Sequence, residues 1–168
     1  GSSQGFSNGT SSAAKFNFPM GVAADPSGNI YVADSGNNRI RKITSTGVVT
    51  TIAGGPAGFS DNAGVFARFN SPQDIAIDVS GNLYVADVNN ARIRKITPTG
   101  IVSTLAGSGV SGFNNGTGSV AQFNTPMGVT VDAIGNVFVA DTFNDKIRKI
   151  TPAGIVTTFA TVPTPTKV

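Results

Sequence analysis

Histidine, cysteine, glutamate and tryptophan are all absent from this chain of 168 residues. Without cysteine there is no disulfide framework and no thiolate metal site. Without histidine the commonest general base and the commonest transition-metal ligand are both missing, and no Ser-His or Cys-His pair can be assembled. The nine acidic residues are all Asp. A metal would therefore meet only Asp, Asn and carbonyl oxygens, a donor set that suits calcium rather than zinc. No run of ~18 apolar residues, the length a membrane-spanning helix needs, occurs. The first residues carry no charged-then-apolar leader pattern.

Glycine is abundant instead, with 21 copies beside 9 prolines, a composition that favours many tight turns over long helices. The net charge is +3 and the pI about 9.5. Of the 12 basic residues, nine fall in three triplets: Arg39, Arg41 and Lys42; Arg92, Arg94 and Lys95; Lys146, Arg148 and Lys149. A charge run of this kind reads first as a solvated strand face, with a nucleic-acid contact as the alternative.

The triplets belong to a larger repetition. "GNIYVADSGNNRIRKIT" from Gly28 returns as "GNLYVADVNNARIRKIT" from Gly81 and "GNVFVADTFNDKIRKIT" from Gly135, at spacings of 53 and 54 residues. Periods of roughly 20–50 residues mark solenoids, propellers and arrays, and this period lies just beyond that range. In the middle copy, "SPQDIAIDVS", "GNLYVAD", "ARIRKIT" and "GIVSTLAG" each alternate or are β-branched, and "DVSGN", "DVNNA" and "TPTG" between them are turn chemistry. The pattern predicts four short strands in an up-and-down antiparallel meander. Strands two and four are apolar on both faces, so the sheet must be covered on both sides, as in the blades of a β-propeller.

The long connection also repeats. Phe6, Phe59 and Phe113 follow glycine; Phe16, Phe69 and Phe123 precede "N-x-P". A loop that keeps two Phe per copy is expected to pack them beneath itself.

The "GN-(I/L/V)-(Y/F)-VAD-xx-N-x-(R/K)-I-RKI" pattern resembles the NHL repeat, a family of β-propeller blades, over about residues 5–160 and in three copies. The family is named for an Asn-His-Leu signature. The His position here holds Asn38, Ala91 and Asp145, so His-based chemistry does not carry over. The loop pattern is similar to that of long bacterial NHL arrays, which implies a secreted or surface protein. The resemblance divides the chain into blades at 5–54, 55–107 and 108–160. Residues 1–4 read as a tag remnant and 161–168, rich in Thr and Pro, as a tail or linker.

Propellers close with about four to eight blades, and NHL-type rings, by the resemblance, with six. Three complete blades leave two apolar flanks, because Ile30, Val32, Val48, Val49 and Ile52 in the first copy and Val137, Val139, Ile155, Val156 and Phe159 in the third are as apolar as the middle ones. The fold expected is an all-β propeller of four-stranded antiparallel blades, three per chain, completed to six by a homodimer.

Site candidates divide into repeated and unrepeated residues. Asp25, Asp78 and Asp132 precede a Gly-Asn turn and are expected to accept its N–H groups. Asp34, Asp87 and Asp141 lie five residues before Arg39, Arg92 and Lys146, which suggests a brace across the turn. The alternative is a ring of these three Asp on one rim holding a cation, calcium by its donor set. The copies differ where strand one begins: Met20 and Gly21, Gln73 and Asp74, Met127 and Gly128. That strand lines the channel of a propeller, so Met20, Gln73, Asp74 and Met127 are candidate ligand contacts at its mouth, joined on the same rim by Phe143 and Asn144.

The function these features favour is a non-catalytic binding module with no cofactor, recognising a protein or a small ligand, with no nucleic acid and no membrane insertion. A calcium-assisted hydrolase or lyase and an RNA-binding NHL domain are the alternatives. Base stacking wants exposed aromatics, and Phe143 is the one candidate.

Overall fold

Alternation of apolar and polar residues on short, glycine-punctuated segments produces strands in the computed structural model, which describes residues 5–161. The expected tag remnant and all but the first residue of the tail lie outside the described residues. Fourteen strands follow in order: β1 (Gly9–Thr10), β2 (Pro19–Ala24), β3 (Ile30–Asp34), β4 (Arg39–Ile43), β5 (Val48–Gly54), β6 (Pro72–Ile77), β7 (Leu83–Asp87), β8 (Arg92–Ile96), β9 (Val102–Ala106), β10 (Gly116–Thr117), β11 (Pro126–Val131), β12 (Val137–Asp141), β13 (Lys146–Ile150) and β14 (Ile155–Thr161).

They form three antiparallel sheets, ordered β1-β5-β4-β3-β2, β6-β7-β8-β9 and β10-β14-β13-β12-β11. We refer to these as blades one, two and three. The four-strand meander expected from the sequence is present in each. The first and third blades gain a short fifth strand from their long loops, Gly9–Thr10 and Gly116–Thr117. The middle loop carries Asn62 and Ala63 there and makes only an isolated bridge, Ala63 to Ile101.

Blades stack face to face, with β6 packed beside both β2 and β11. Two buried clusters lie at the two junctions. Ala33, Ile40 and Ala53 of blade one, with the flanking Ile52, meet Ile75, Leu83, Val85, Ile96 and Val102 of blade two. Ala86, Ile93 and Ala106 of blade two, with Leu105, meet Val129, Val137, Val139, Ile150 and Val156 of blade three. Each blade therefore has a forward face turned to the next blade and a back face turned to the one before. Burying one Val, Leu or Ile side chain contributes roughly 1.5–3 kcal/mol, so these junctions hold the chain together.

The flank expectation is refined at residue level. Val32, Val49, Val137, Val139 and Val156 are buried, and Ile52 packs on blade two. Of the residues named, Phe159 does mark the open face of blade three, and on blade one Val22 marks it instead, each 63% exposed.

Candidate ligand-binding rim and channel mouth

The middle cation of each basic triplet is not solvated. Arg41, Arg94 and Arg148 are completely buried, which corrects the reading of the triplets as exposed faces. Each guanidinium spreads over four acceptors. Arg94 donates from Nη1 to Asp87 Oδ2 at 2.8 Å and to the Arg68 carbonyl at 2.9 Å. Its Nη2 donates to the Ser60 carbonyl at 2.8 Å and to Asp61 Oδ1 at 2.6 Å. Arg41 and Arg148 repeat the pattern, with the amide oxygens of Asn8 and Asn115 in place of the Asp61 carboxylate.

Two aromatic rings flank each guanidinium. Arg94 lies 4.9 Å from the centroid of Phe59 and 5.1 Å from that of Phe69. Phe6 with Phe16, and Phe113 with Phe123, do the same for Arg41 and Arg148. Phe69 and Phe123 are buried beneath the loop as expected and Phe16 is half-buried, but Phe6, Phe59 and Phe113 stay 47%, 46% and 48% exposed. The partner each pair shares is a cation, at a cation–π distance. The arginine ties the long loop, through two of its carbonyls, to the sheet.

The brace is accordingly different from the one the spacing suggests. Asp34, Asp87 and Asp141 are buried and pair with Arg41, Arg94 and Arg148 at 2.7, 2.8 and 2.7 Å. Arg39, Arg92 and Lys146 instead cap the carbonyls of Asn37, Asn90 and Asn144 and lie over Phe6, Phe59 and Phe113. The remaining acceptor sites of the three Asp are taken by the backbone N–H of Asn17, Asn70 and Asn124 and by the amides of Asn37, Asn90 and Asn144. These carboxylates face the loop clamp rather than a rim. The cation-ring alternative fails on that geometry.

Asn144 is likewise committed to the scaffold, donating to Asp141 and to the Gly112 carbonyl. Phe143, beside it in the turn Thr142–Asn144, is exposed. Met20 and Met127 are exposed at the start of the inner strands β2 and β11, and Gln73 is half-buried on β6.

Asp74 has a structural use that the sequence does not disclose. Its Oδ2 accepts the N–H of Val129 on the next inner strand at 2.8 Å, and its Oδ1 the N–H of Ile75 at 2.9 Å. Glycine at position 21 on the neighbouring inner strand makes room for it. A Cβ on Gly21 would stand 2.5 Å from Asp74 Oδ1 and 2.6 Å from its Cα. Gly21→Ala is therefore expected to destabilise the chain by ~1–3 kcal/mol, measured by urea unfolding.

At the opposite end of the strands, the turn carboxylates behave as expected. Asp25 accepts from the N–H of Ser27 and of Asn29, from the Asn29 amide and from the Tyr31 hydroxyl. Asp78 repeats all four with Ser80, Asn82 and Tyr84, and Asp132 repeats three of them, having Phe138 where the others have Tyr. The Asn29 and Asn136 amides, ahead of the turn N–H groups, hold Asp25 and Asp132 below the usual carboxylate range. The stability these two lend is present above the unfolded value of ~3.9 and is lost as pH falls through their lowered values. Burial, with the bond to Asp78, pushes Tyr84 from 10.0 up to about 12. Its share of stability is complete below pH 10 and is lost as pH rises through about 12. The chain has two tyrosines, so an ultraviolet titration should show both ionising above 10, with Tyr84 the later. A single step at 10 would contradict these bonds.

Between blades one and two, at this end, lies a cleft of about 560 Å³ that sequence reading missed. Ile52, Ile77 and Leu83 line its apolar part, and Tyr31, Lys42 and Asp25 its polar part. No sequence signal marks it, because it is created by the angle between adjacent blades.

The repeat and the sheets agree with the comparisons to known proteins. The profile described as "NHL repeat" matches residues 16–43 and 69–96. The chain belongs to the NHL-repeat family. The third copy of the repeat, at 123–150, follows the second at the same 54-residue spacing and forms the same sheet. Among curated relatives, Protein SUPPRESSOR OF QUENCHING 1, chloroplastic, of Arabidopsis thaliana is 36% identical over 153 residues, covering 84% of this chain and 14% of that protein. NHL repeat-containing protein 2 of Gallus gallus is 36% identical over 141 residues, covering 82% and 19%. The NHL chain described here thus spans under a fifth of either relative. An auxiliary nutrient binding protein from Bacteroides thetaiotaomicron superposes with a TM-score of 0.70 at 25% identity, over 83% of this chain and 37% of that one. A structural genomics protein of unknown function from the same organism gives 0.68 at 30% identity, over 73% and 32%.

Proposed function

We propose that this NHL chain is a non-catalytic recognition module, and that two chains close one six-bladed ring whose channel mouth and rim are the recognition surface. The observation that carries the first half is the use made of the acids. Asp25, Asp78 and Asp132 are held in turns, Asp34, Asp87 and Asp141 on buried arginines, Asp61 on Arg94, and Asp74 between two inner strands. With Glu and His absent, proton transfer and metal binding have few side chains left to use. What remains at the loop end is the exposed Asp145 and a set of uncharged, partly apolar side chains: Met20, Gln73, Met127 and Phe143. That mixture suits a small ligand or a peptide segment. The auxiliary nutrient binding protein of similar fold makes nutrient-type small molecules the first class to try.

RNA binding gains little support, because the buried arginines leave no continuous basic stripe on strand three. A secreted or surface location and freedom from any cofactor are part of the same reading. Millimolar calcium or a chelator is expected to leave the melting temperature unchanged, since the Asp34, Asp87 and Asp141 carboxylates are enclosed.

The test is a thermal-shift screen against sugars, amino acids and short peptides, repeated with Met20→Ala, Gln73→Ala and Met127→Ala. A ligand whose shift is lost in these variants supports the reading. Ligands whose shift survives all three, or catalytic turnover of any of them, would sink it.

A further inference from the structure

The two open faces are each other's complement. In both internal junctions an apolar forward face meets an apolar back face. On blade one the back face is uncovered: Val22 is 63% exposed, where its counterparts Ile75 and Val129 are 3% and 7% exposed. Ile30 and Phe16 are half-buried where Leu83, Val137, Phe69 and Phe123 are buried. On blade three the forward face is uncovered. Ile147 is half-buried and Ala160 exposed, where Ile40, Ile93, Ala53 and Ala106 are buried. Phe159 and Phe138 stand there edge to face, 5.0 Å apart. Beside them is a hollow of about 270 Å³ lined in part by Thr130, Phe138, Ala140 and Ile147.

A polar contact crosses the junction between blades one and two at the loop end; between blades two and three Ala91 stands in the place of Asn38 and the contact is absent among the described residues. Asn38 holds a left-handed conformation at φ 54° and its Oδ1 accepts the Ser71 N–H at 2.8 Å. Ser35 Oγ lies 3.3 Å from Ser71 Oγ across the same junction. The counterparts at the open ends are Asp145, left-handed at φ 53°, and Thr142 on blade three, and Phe18 on blade one. Asp145 is exposed and its carboxylate has no partner among the described residues. The Phe18 N–H also lacks an acceptor there, and the Phe18 side chain is 70% exposed. One unmatched acceptor and one unmatched donor thus occupy the two halves of a single junction.

We infer that both open faces are covered by a second copy of this chain in the register of the internal junctions, with Asp145 accepting the backbone N–H of Phe18 of that copy. This rests on the two-chain ring proposed above and specifies which atoms join it. Blade three of each chain seats on blade one of the other, twice about a two-fold axis. Phe159 takes the place that Ile52 and Leu105 fill inside the chain, and Val22 that of Ile75. The junction also completes the candidate binding surface, because Met127 and Phe143 of one chain then lie next to Met20 of the other.

The chain has no cysteine, so engineered thiols report the register without interference. Ser35→Cys with Ser71→Cys is the control, since those oxygens already touch and a disulfide needs side chains at that range. It should close within one chain. Phe18→Cys with Thr142→Cys should yield a covalent two-chain species, reversed by reductant, while either single variant should not. Asp145→Ala should weaken association about tenfold, the scale of one charge-assisted hydrogen bond, by light scattering on a dilution series. Asp145→Asn should restore it, as Asn38 serves at the junction between blades one and two. If the wild-type chain has twice the 17.0 kDa mass but the 18/142 pair stays unlinked while the control closes, the register is wrong and the ring reading stands. A wild-type chain that stays at 17.0 kDa at every concentration overturns both.

Discussion

Arg94→Met should lower the unfolding free energy by about 3–5 kcal/mol, the loss expected when one partner of a buried ion pair is removed. Asp87 would be left fully buried with a carboxylate and no counter-charge. Two loop carbonyls, of Ser60 and Arg68, would lose their donor, and Phe59 and Phe69 would lose the cation between them. Lysine should rescue little, because one ammonium cannot span four acceptors arranged for a planar fork. Arg94→Met with Asp87→Leu should recover a large part of the loss, since it removes both charges together. The measurement is the urea midpoint at fixed protein concentration, as association would otherwise shift it. A loss below about 1 kcal/mol, the level of an exposed pair, would show that the clamp is decoration. Arg41→Met and Arg148→Met should behave alike, with one difference. Arg94 also faces the Asp61 carboxylate where the other two face an amide, so blade two should lose most.

How much of this was legible depended on whether the cause was local. The 53- and 54-residue spacing, the turn dipeptides and the period-two alternation placed four strands per copy, with ends in the middle copy off by up to three residues where "SPQDIAIDVS" runs past Ile77, because those signals act between neighbours along the chain. The turn role of Asp25, Asp78 and Asp132 was legible for the same reason. The clamp was not. Asp34 stands directly opposite Arg39 in the strand register, so spacing chose Arg39. The side chain that reaches the acid is Arg41, two residues further along the same strand face, where the long loop closes over it. The signal lay in the coincidence of two loop Phe and an Asn or Asp with an (R/K)-x-R in every copy. Reading it required knowing that the loop folds back on its own blade.

Asp74 was visible as a departure between copies, but its use was not, since that is set by how closely three inner strands approach. Of the glycines at 21 and 128, Gly21 is the trace of that approach, since a Cβ there would overlap Asp74, whereas one on Gly128 would meet it only at 3.9 Å. Both glycines stand at the positions where Asp74 has its counterparts.

Placing the same charge at equivalent positions of blades one and two should give opposite kinds of failure. Ile75→Asp puts a carboxylate into the junction between blades one and two, where the residue is 3% exposed and its neighbours are Ala33, Leu83, Val85 and Phe69. No cation of that cluster is available to pair with it, and the cost is several kcal/mol, on the order of the chain's whole stability. The expected product is unfolded or aggregated protein. Val22→Asp makes the same chemical change one repeat earlier, on a side chain 63% exposed in the single chain. Within one chain that substitution should stay inside ±0.5 kcal/mol, as surface changes do. In the ring it falls at the junction with the second copy, twice over because of the two-fold symmetry. The expected product is therefore a folded monomer with native far-ultraviolet circular dichroism and half the wild-type mass. Phe159→Asp, on the other half of the same junction, should give the same result. A Val22→Asp chain that keeps the wild-type two-chain mass would show that blade one's back face is not where the second copy sits. The pair of substitutions thus separates what holds a blade to its neighbour from what holds one chain to the next, using one residue position and two addresses.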